Sequence, residues 1–296
     1  MRSSPQPVRS TRLARVAAAL VVLLIAAGVY YVVKTKHVPL IPQPTSCTAV
    51  ADKQALPLTV SQAGIAATIA GVAARRGLPT RAVTIAYAAA LQESKLANLN
   101  YGTADSLGVF QQRPSQGWGT PQQIMNPVYA TGRFFAALVA VPGYLRMPIY
   151  QAAQAVQHSA DGYAYGQYAT VGAQLATAFY GVQPHAFSCY YASPTGKPRI
   201  AAARAALAGA FGALRSQQAG DPEVAIRVRR QSVGWAVTAW LISHASTFGI
   251  GNVRYLGYEW YATRSSGNWV RQQTGTGHSD ASAVQAPALA TSVVFG

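Results

Sequence analysis

The chain has 296 residues, carries 24 Lys and Arg against 8 Asp and Glu for a net charge of +16, and is half hydrophobic. That apolar content excludes a largely disordered chain and supplies core for one or two domains. The charge favours polyanions as partners: nucleic acid, acidic headgroups or anionic wall polymers.

In chain order, Arg2, Arg9, Arg12 and Arg15 precede an apolar run from Val16 to Val33, which Lys34 and Lys36 close. At about 1.5 Å per residue the run spans roughly 27 Å, long enough for a single-pass transmembrane anchor. The arginines before it place the N-terminus in the cytoplasm and the main domains outside the cell. A cleaved signal peptide is the rival, because "IAAG" near residue 26 offers small residues. Residues 1–15 then read as a basic cytoplasmic tail, 16–33 as the anchor and 34–46, with "HVPLIPQPTS", as a stiff Pro-rich linker.

Cys47 and Cys189 are the only cysteines and bracket a domain-sized segment, so outside the cytoplasm they are expected to be bridged. The alternative is two unpaired buried thiols. Between them the pattern is helical. "SQAGIAATIAGVAARRG" opens on Ser61 as an N-cap, closes on Gly77 and sets Ile65, Ile69 and Val72 on one face. A second helix opens on Thr80 and runs through "QES", with Val83, Ala86, Tyr87, Ala90 and Leu91 at helical spacing. A Gly-rich irregular stretch covers about 98–121, and helices resume in "NPVYATGRFFAALVAV", "PIYQAAQAVQHSA" and "TVGAQLATAFYG". No strand meander is predicted, so 47–189 reads as a mainly α domain.

After Cys189, "PRIAAARAALAGAFGAL" and "SVGWAVTAWLISHASTFG" read as helices. "NVRYLGYEWYA" and "GNWVRQQ" read as two or three short strands, which makes 190–272 a small α+β accessory domain. The Ala, Ser, Thr and Gly-rich residues 273–296 read as a disordered tail. Trp235, Trp240, Tyr255, Tyr258, Trp260 and Trp269 read either as the core of that domain or as a sugar-stacking platform. Arg227, Arg229 and Arg230 read as a solvated linker or as a contact for anionic wall polymer. The histidines are scattered and no pair has metal-ligand spacing, so no metal and no cofactor is expected. Aromatics and arginines do not alternate along one groove-like segment, which argues against nucleic acid.

Glu93 stands out among three glutamates because it closes an Ala-rich helix, where the dipole is unfavourable to an acid. The carboxyl lies beside an aromatic and Gly-rich loop that carries Tyr101, Gly108, Gln111, Gln112, Gly117, Trp118 and Gly119, residues that shape a cleft. That suits a general acid, and glycosidic cleavage is the reaction class that most often needs one. Asp105 either partners it as a second carboxylate or caps the turn before Ser106.

At these residues the chain resembles a known family. Glu93-Ser94 followed by Ser106-Leu107-Gly108-Val109-Phe110-Gln111 is similar to the Glu-Ser and Ser/Gly-Leu-Met/Phe-Gln signature of soluble lytic transglycosylases and goose-type lysozymes. The longer pattern "QES…DSLGVFQQRPSQGWG…NPVYA…FF" also resembles secreted or anchored actinobacterial proteins of lysozyme-like type. The resemblance covers about 47–189 and implies a lysozyme-like helical domain that cleaves the glycan of peptidoglycan. It makes Glu93 the catalytic acid and then base, so that the muramyl 6-hydroxyl closes a 1,6-anhydro ring. It implies that Ser94 and Gln111 hydrogen-bond near the glutamate and the substrate and that Gly108 lets the backbone turn close to the sugar; Asp105, Ser106 and Gln157 are further candidates for substrate contact. The chain departs from the family at "AVQHSA", where Val156 and Gln157 stand for the usual Tyr and Asn; Tyr163, Tyr165 and Tyr168 downstream read as aromatic contacts or as helix surface. The expectation is therefore a membrane-anchored peptidoglycan lytic transglycosylase. A hydrolytic lysozyme is the runner-up, and a catalytically silent wall-binding or assembly factor is the alternative from another class.

Overall fold

The structure, a computed structural model, describes residues 8–36, 44–159, 161–264, 269–272 and 292–296. It falls into two units, Met1–Gln43 and Pro44–Gly296.

In the first unit helix α1 spans Val8–Lys36. Among the described residues no helix is long and apolar enough to cross a membrane. The expectation of a fold that opens on a transmembrane helix is corrected accordingly. Most of the Pro-rich linker lies outside the described residues.

In the second unit the chain begins with strands β1 (Ser46–Ala51) and β2 (Gln54–Leu58). Helices α2 (Val60–Arg75) and α3 (Thr80–Ser94) follow. The N-cap of α2 is Thr59, two residues before the expected Ser61, because Thr59 and Gln62 form a reciprocal capping box. After an irregular loop come α4 (Pro121–Ile124), α5 (Pro127–Ala140), α6 (Ile149–Gln157) and α7 (Ala169–Phe179). Strand β3 (Phe187–Tyr190) then returns to pair with β1, giving an antiparallel sheet of order β2-β1-β3. The mainly α reading of 47–189 omitted this sheet, in which strands from the two ends of the segment meet. The register sets Cys47 opposite Cys189, and the two are disulfide-bonded.

The rest of the chain adds α8 (Ile200–Phe211), β4 (Ser216–Gln218), β5 (Val224–Arg227), α9 (Gln231–Ser243) and α10 (Ala245–Phe248). It ends in β6 (Asn252–Tyr255), β7 (Tyr258–Tyr261), β8 (Val270–Arg271) and β9 (Ser292–Phe295). These strands form a six-stranded antiparallel sheet of order β4-β5-β9-β6-β7-β8. Strands β6, β7 and β8 fall where short strands were expected, but the expected disordered tail ends in an interior strand. "SVVF" buries all four residues between β5 and β6, which satisfies both of its backbone edges.

The two halves of this unit share one core. Helix α2 packs against α3, α5, α8 and α9, and its alanines let the neighbouring backbones approach. Trp260 is fully buried and its indole N–H donates to the Cys189 carbonyl at 2.8 Å. Trp269 donates likewise to the Phe187 carbonyl at 2.9 Å. With Trp235, Trp240 and Tyr255 also buried, these aromatics serve as core and as ties to β3 rather than as an open platform.

His244 gives this core a pH dependence. Its ring stacks on Trp240 with centroids 4.0 Å apart, and Nδ1 lies 2.8 Å from the Trp240 carbonyl. Burial pushes the imidazole down from 6.5 to about 4, although the Trp240 carbonyl partly opposes the shift. The folded form thus stays neutral where the unfolded chain takes up a proton, so stability is complete above pH ~6.5 and declines as pH falls toward 4. The expected loss is on the order of 3 kcal/mol. Urea unfolding at pH 7.5 and pH 4.5 will show it, and His244→Gln will flatten the difference; an equal pH slope in both proteins would contradict the assignment.

Candidate active site

Helix α3 ends where its chemistry begins. Lys95 takes a left-handed conformation (φ 55°). The Leu96 and Lys95 amides then donate back to the Ala90 and Leu91 carbonyls, which ends the helix at Glu93-Ser94. Glu93 is half-buried in the last turn. The Tyr165 hydroxyl donates to its Oε1 at 2.6 Å. Tyr165 is itself fully buried. Burial first, and then the Glu93 carboxylate, raise its phenol so that the proton remains in place. An acid at the negative end of a helix is thus received by a preset donor.

The loop after α3 is shaped by its own contacts. Ser94 is buried, and its Oγ lies 2.8 Å from the Val109 carbonyl and 3.1 Å from that of Ala90, while it accepts from the Ala97 amide. Short bridges pair Leu99 with Gly108 and Leu107 with Gln112. Gly108 has φ +76°, and a Cβ there would sit 2.8 Å from the Ile124 carbonyl, so only glycine fits the turn. Asp105 accepts from Arg113 Nε at 2.8 Å and from the Ser115 amide and hydroxyl at 2.7 and 2.9 Å. The Arg113 guanidinium, then the Ser115 amide, hold the Asp105 carboxyl well below the usual range.

These contacts leave a cleft of about 300 Å³ that Glu93 lines together with Ser106, Gln111, Gln112, Trp118 and Gln157. The Gln157 amide donates to the Phe110 carbonyl at 2.8 Å, and Gln111 donates to the carbonyls of Gly108 and Tyr101 at 3.2 and 3.3 Å. Gln112 is almost wholly buried and donates to the Ala130 carbonyl, while its Oε1 has no protein partner. Among the described residues no group of three His, Cys, Asp and Glu could hold a metal ion. No family model matches the chain, and no curated protein matches it either.

Of the site residues expected from the sequence, Glu93, Ser106, Gln111 and Gln157 come together at one cleft. Ser94, Asp105 and Gly108 do not line it; they shape the loop behind it. Sequence reasoning left the role of Tyr165 open, because in "YAYGQY" neither helical nor strand spacing singles out the tyrosine that turns inward. Tyr163 is exposed, and Tyr168 takes a hydrogen bond and a cation–π contact from Lys95. His158 lies at the C-cap of α6 and lines the cleft.

The Asp105 contacts carry a prediction. Asp105→Asn will leave the products of any Glu93-dependent reaction unchanged and the rate within a few-fold, because the carboxylate is spent on Arg113 and Ser115. The same change will weaken the loop, read as faster proteolysis near residues 103–116. A collapse of turnover with an intact loop would return Asp105 to the chemistry.

Proposed function

We propose that this protein cleaves the glycan strand of peptidoglycan as a lytic transglycosylase, with Glu93 as its single catalytic carboxyl. The observation that supports the reading is Glu93 lining an open cleft with one oxygen fixed by Tyr165, while Asp105, the second carboxylate the sequence offered, does not line the cleft and is held by Arg113 and Ser115. A lone carboxyl protonates the leaving sugar oxygen as oxocarbenium character develops on the muramyl carbon. It then takes the proton from the muramyl 6-hydroxyl as that oxygen closes onto the same carbon, so no water and no second acid is consumed. A hydrolytic lysozyme with two flanking carboxyls fits less well, because Asp105 is committed elsewhere. The motif resemblance at Glu93-Ser94 and Ser106 to Gln111 supports the same reaction class.

The Cys47–Cys189 bond supports an extracytoplasmic location, where disulfides persist. The net charge of +16 suits the anionic surroundings of a cell wall. The test is mass spectrometry of fragments released from purified peptidoglycan by the full chain. Anhydro-muramyl ends are the expected product; reducing ends would replace the reading by hydrolysis, and no fragments would replace it by wall binding without turnover.

A further inference from the structure

Beyond Trp118 the cleft opens into a second cavity of about 600 Å³, lined by Gln116, Gly117, Trp118, Arg133, Ala137 and His158. Gln116, Trp118 and His158 line both spaces, so the second continues the first. Arg133 donates through Nη2 to the Gly117 carbonyl at 3.2 Å, which orients the guanidinium at this wall. Among the described residues it pairs with no carboxylate, in contrast to Arg113 in the adjoining cleft, which Asp105 neutralises. A guanidinium only donates, and its planar fork matches a carboxylate. The cavity contains no acidic residue, and the indole of Trp118 provides an apolar wall beside the cation.

We infer that this cavity is an anion subsite, which takes a carboxylate of the peptide stem carried by the glycan. The inference rests on the peptidoglycan reading of the cleft and specifies its substrate further. A neutral sugar presents acceptors and donors alike and has no need of an unpaired guanidinium. The stem branches from the muramyl ring, so a strand lying along Glu93 would direct its charged substituent to one side, where the cavity continues.

The test uses two soluble probes on the full chain, N-acetylmuramyl-L-alanyl-D-glutamate and its diamide, titrated by calorimetry. The free acid is expected to bind about tenfold more tightly than the diamide, the low end for a charge-assisted hydrogen bond. Arg133→Gln will erase that preference, Arg133→Lys will retain part of it, and Glu93→Gln will leave it intact. Arg133 is exposed, so these variants do not disturb the core. Equal binding of the two probes, binding of neither, or a preference that survives Arg133→Gln overturns the subsite. Glycerol phosphate bound more tightly than the acid would overturn the peptide assignment in favour of a phosphodiester. If Glu93-dependent cleavage is present but the acid preference is missing, only the subsite fails. An acid preference without cleavage removes the catalytic reading and keeps the anion site.

Discussion

Glu93→Gln in the full chain will slow release of glycan fragments from peptidoglycan by about a thousandfold or more, within the range for loss of a general acid that also serves as base. The substitution is nearly isosteric, and the amide oxygen still accepts from Tyr165, so the loop and the cleft keep their shape. Only the transferable proton is lost. Binding of glycan to the variant should therefore match wild type while turnover collapses, a pattern that marks an interaction used in the transition state. Fragment release measured by mass spectrometry, alongside affinity for purified sacculi, separates the two. Unchanged turnover in the variant would remove Glu93 from the chemistry, and a parallel loss of binding would give it a role in holding substrate.

Replacing both Cys47 and Cys189 with alanine will lower stability by about 4 kcal/mol, close to what the chain-entropy account gives for a loop of this size. The bond closes a sequence separation of 142 residues. It joins β1 to β3, and α7 packs against both β1 and α3, whose last turn carries Glu93. Turnover in the absence of denaturant should stay close to wild type, because the hydrogen bonds of the β1–β3 register persist without the bridge. Urea unfolding of the double variant measures the effect; a loss below about 1 kcal/mol would mean that the shared core, rather than the cross-link, sets the stability.

Helices were legible wherever a buried face repeats at helical spacing. The second reads as Thr80 through the "QES" motif and runs Thr80–Ser94, and "TVGAQLATAFYG" contains α7. Strand β3 was not legible, because it is short and its partner β1 lies more than a hundred residues away, and the β1–β2 hairpin was missed because its turn, Asp52-Lys53, takes positive φ without a glycine to signal it. "SVVF" carried no signal either, since four apolar residues after a low-complexity stretch become a strand only when β5 and β6 flank them. The apolar run at 16–33 illustrates the opposite error: its composition suggested a membrane span, whereas no described helix is long and apolar enough to cross a bilayer.

By itself the sequence determined where a chemically exceptional residue lies: one acid at the end of an Ala-rich helix, next to a loop of Gly, Gln and aromatics. It also identified the only possible disulfide pair, because two cysteines allow one connectivity. Tertiary structure alone decided which groups serve that acid. Ser94, Asp105 and Gly108 are close to it in sequence, yet their hydrogen bonds and backbone geometry serve the loop. Tyr165 lies 72 positions away and meets Glu93 because α6, the turn at Ala164–Tyr168 and α7 pack on α3. Local spacing records the period of an element and the chemistry of its side chains. Which distant hydroxyl enters hydrogen-bonding range depends on burial and packing of elements that no local window contains.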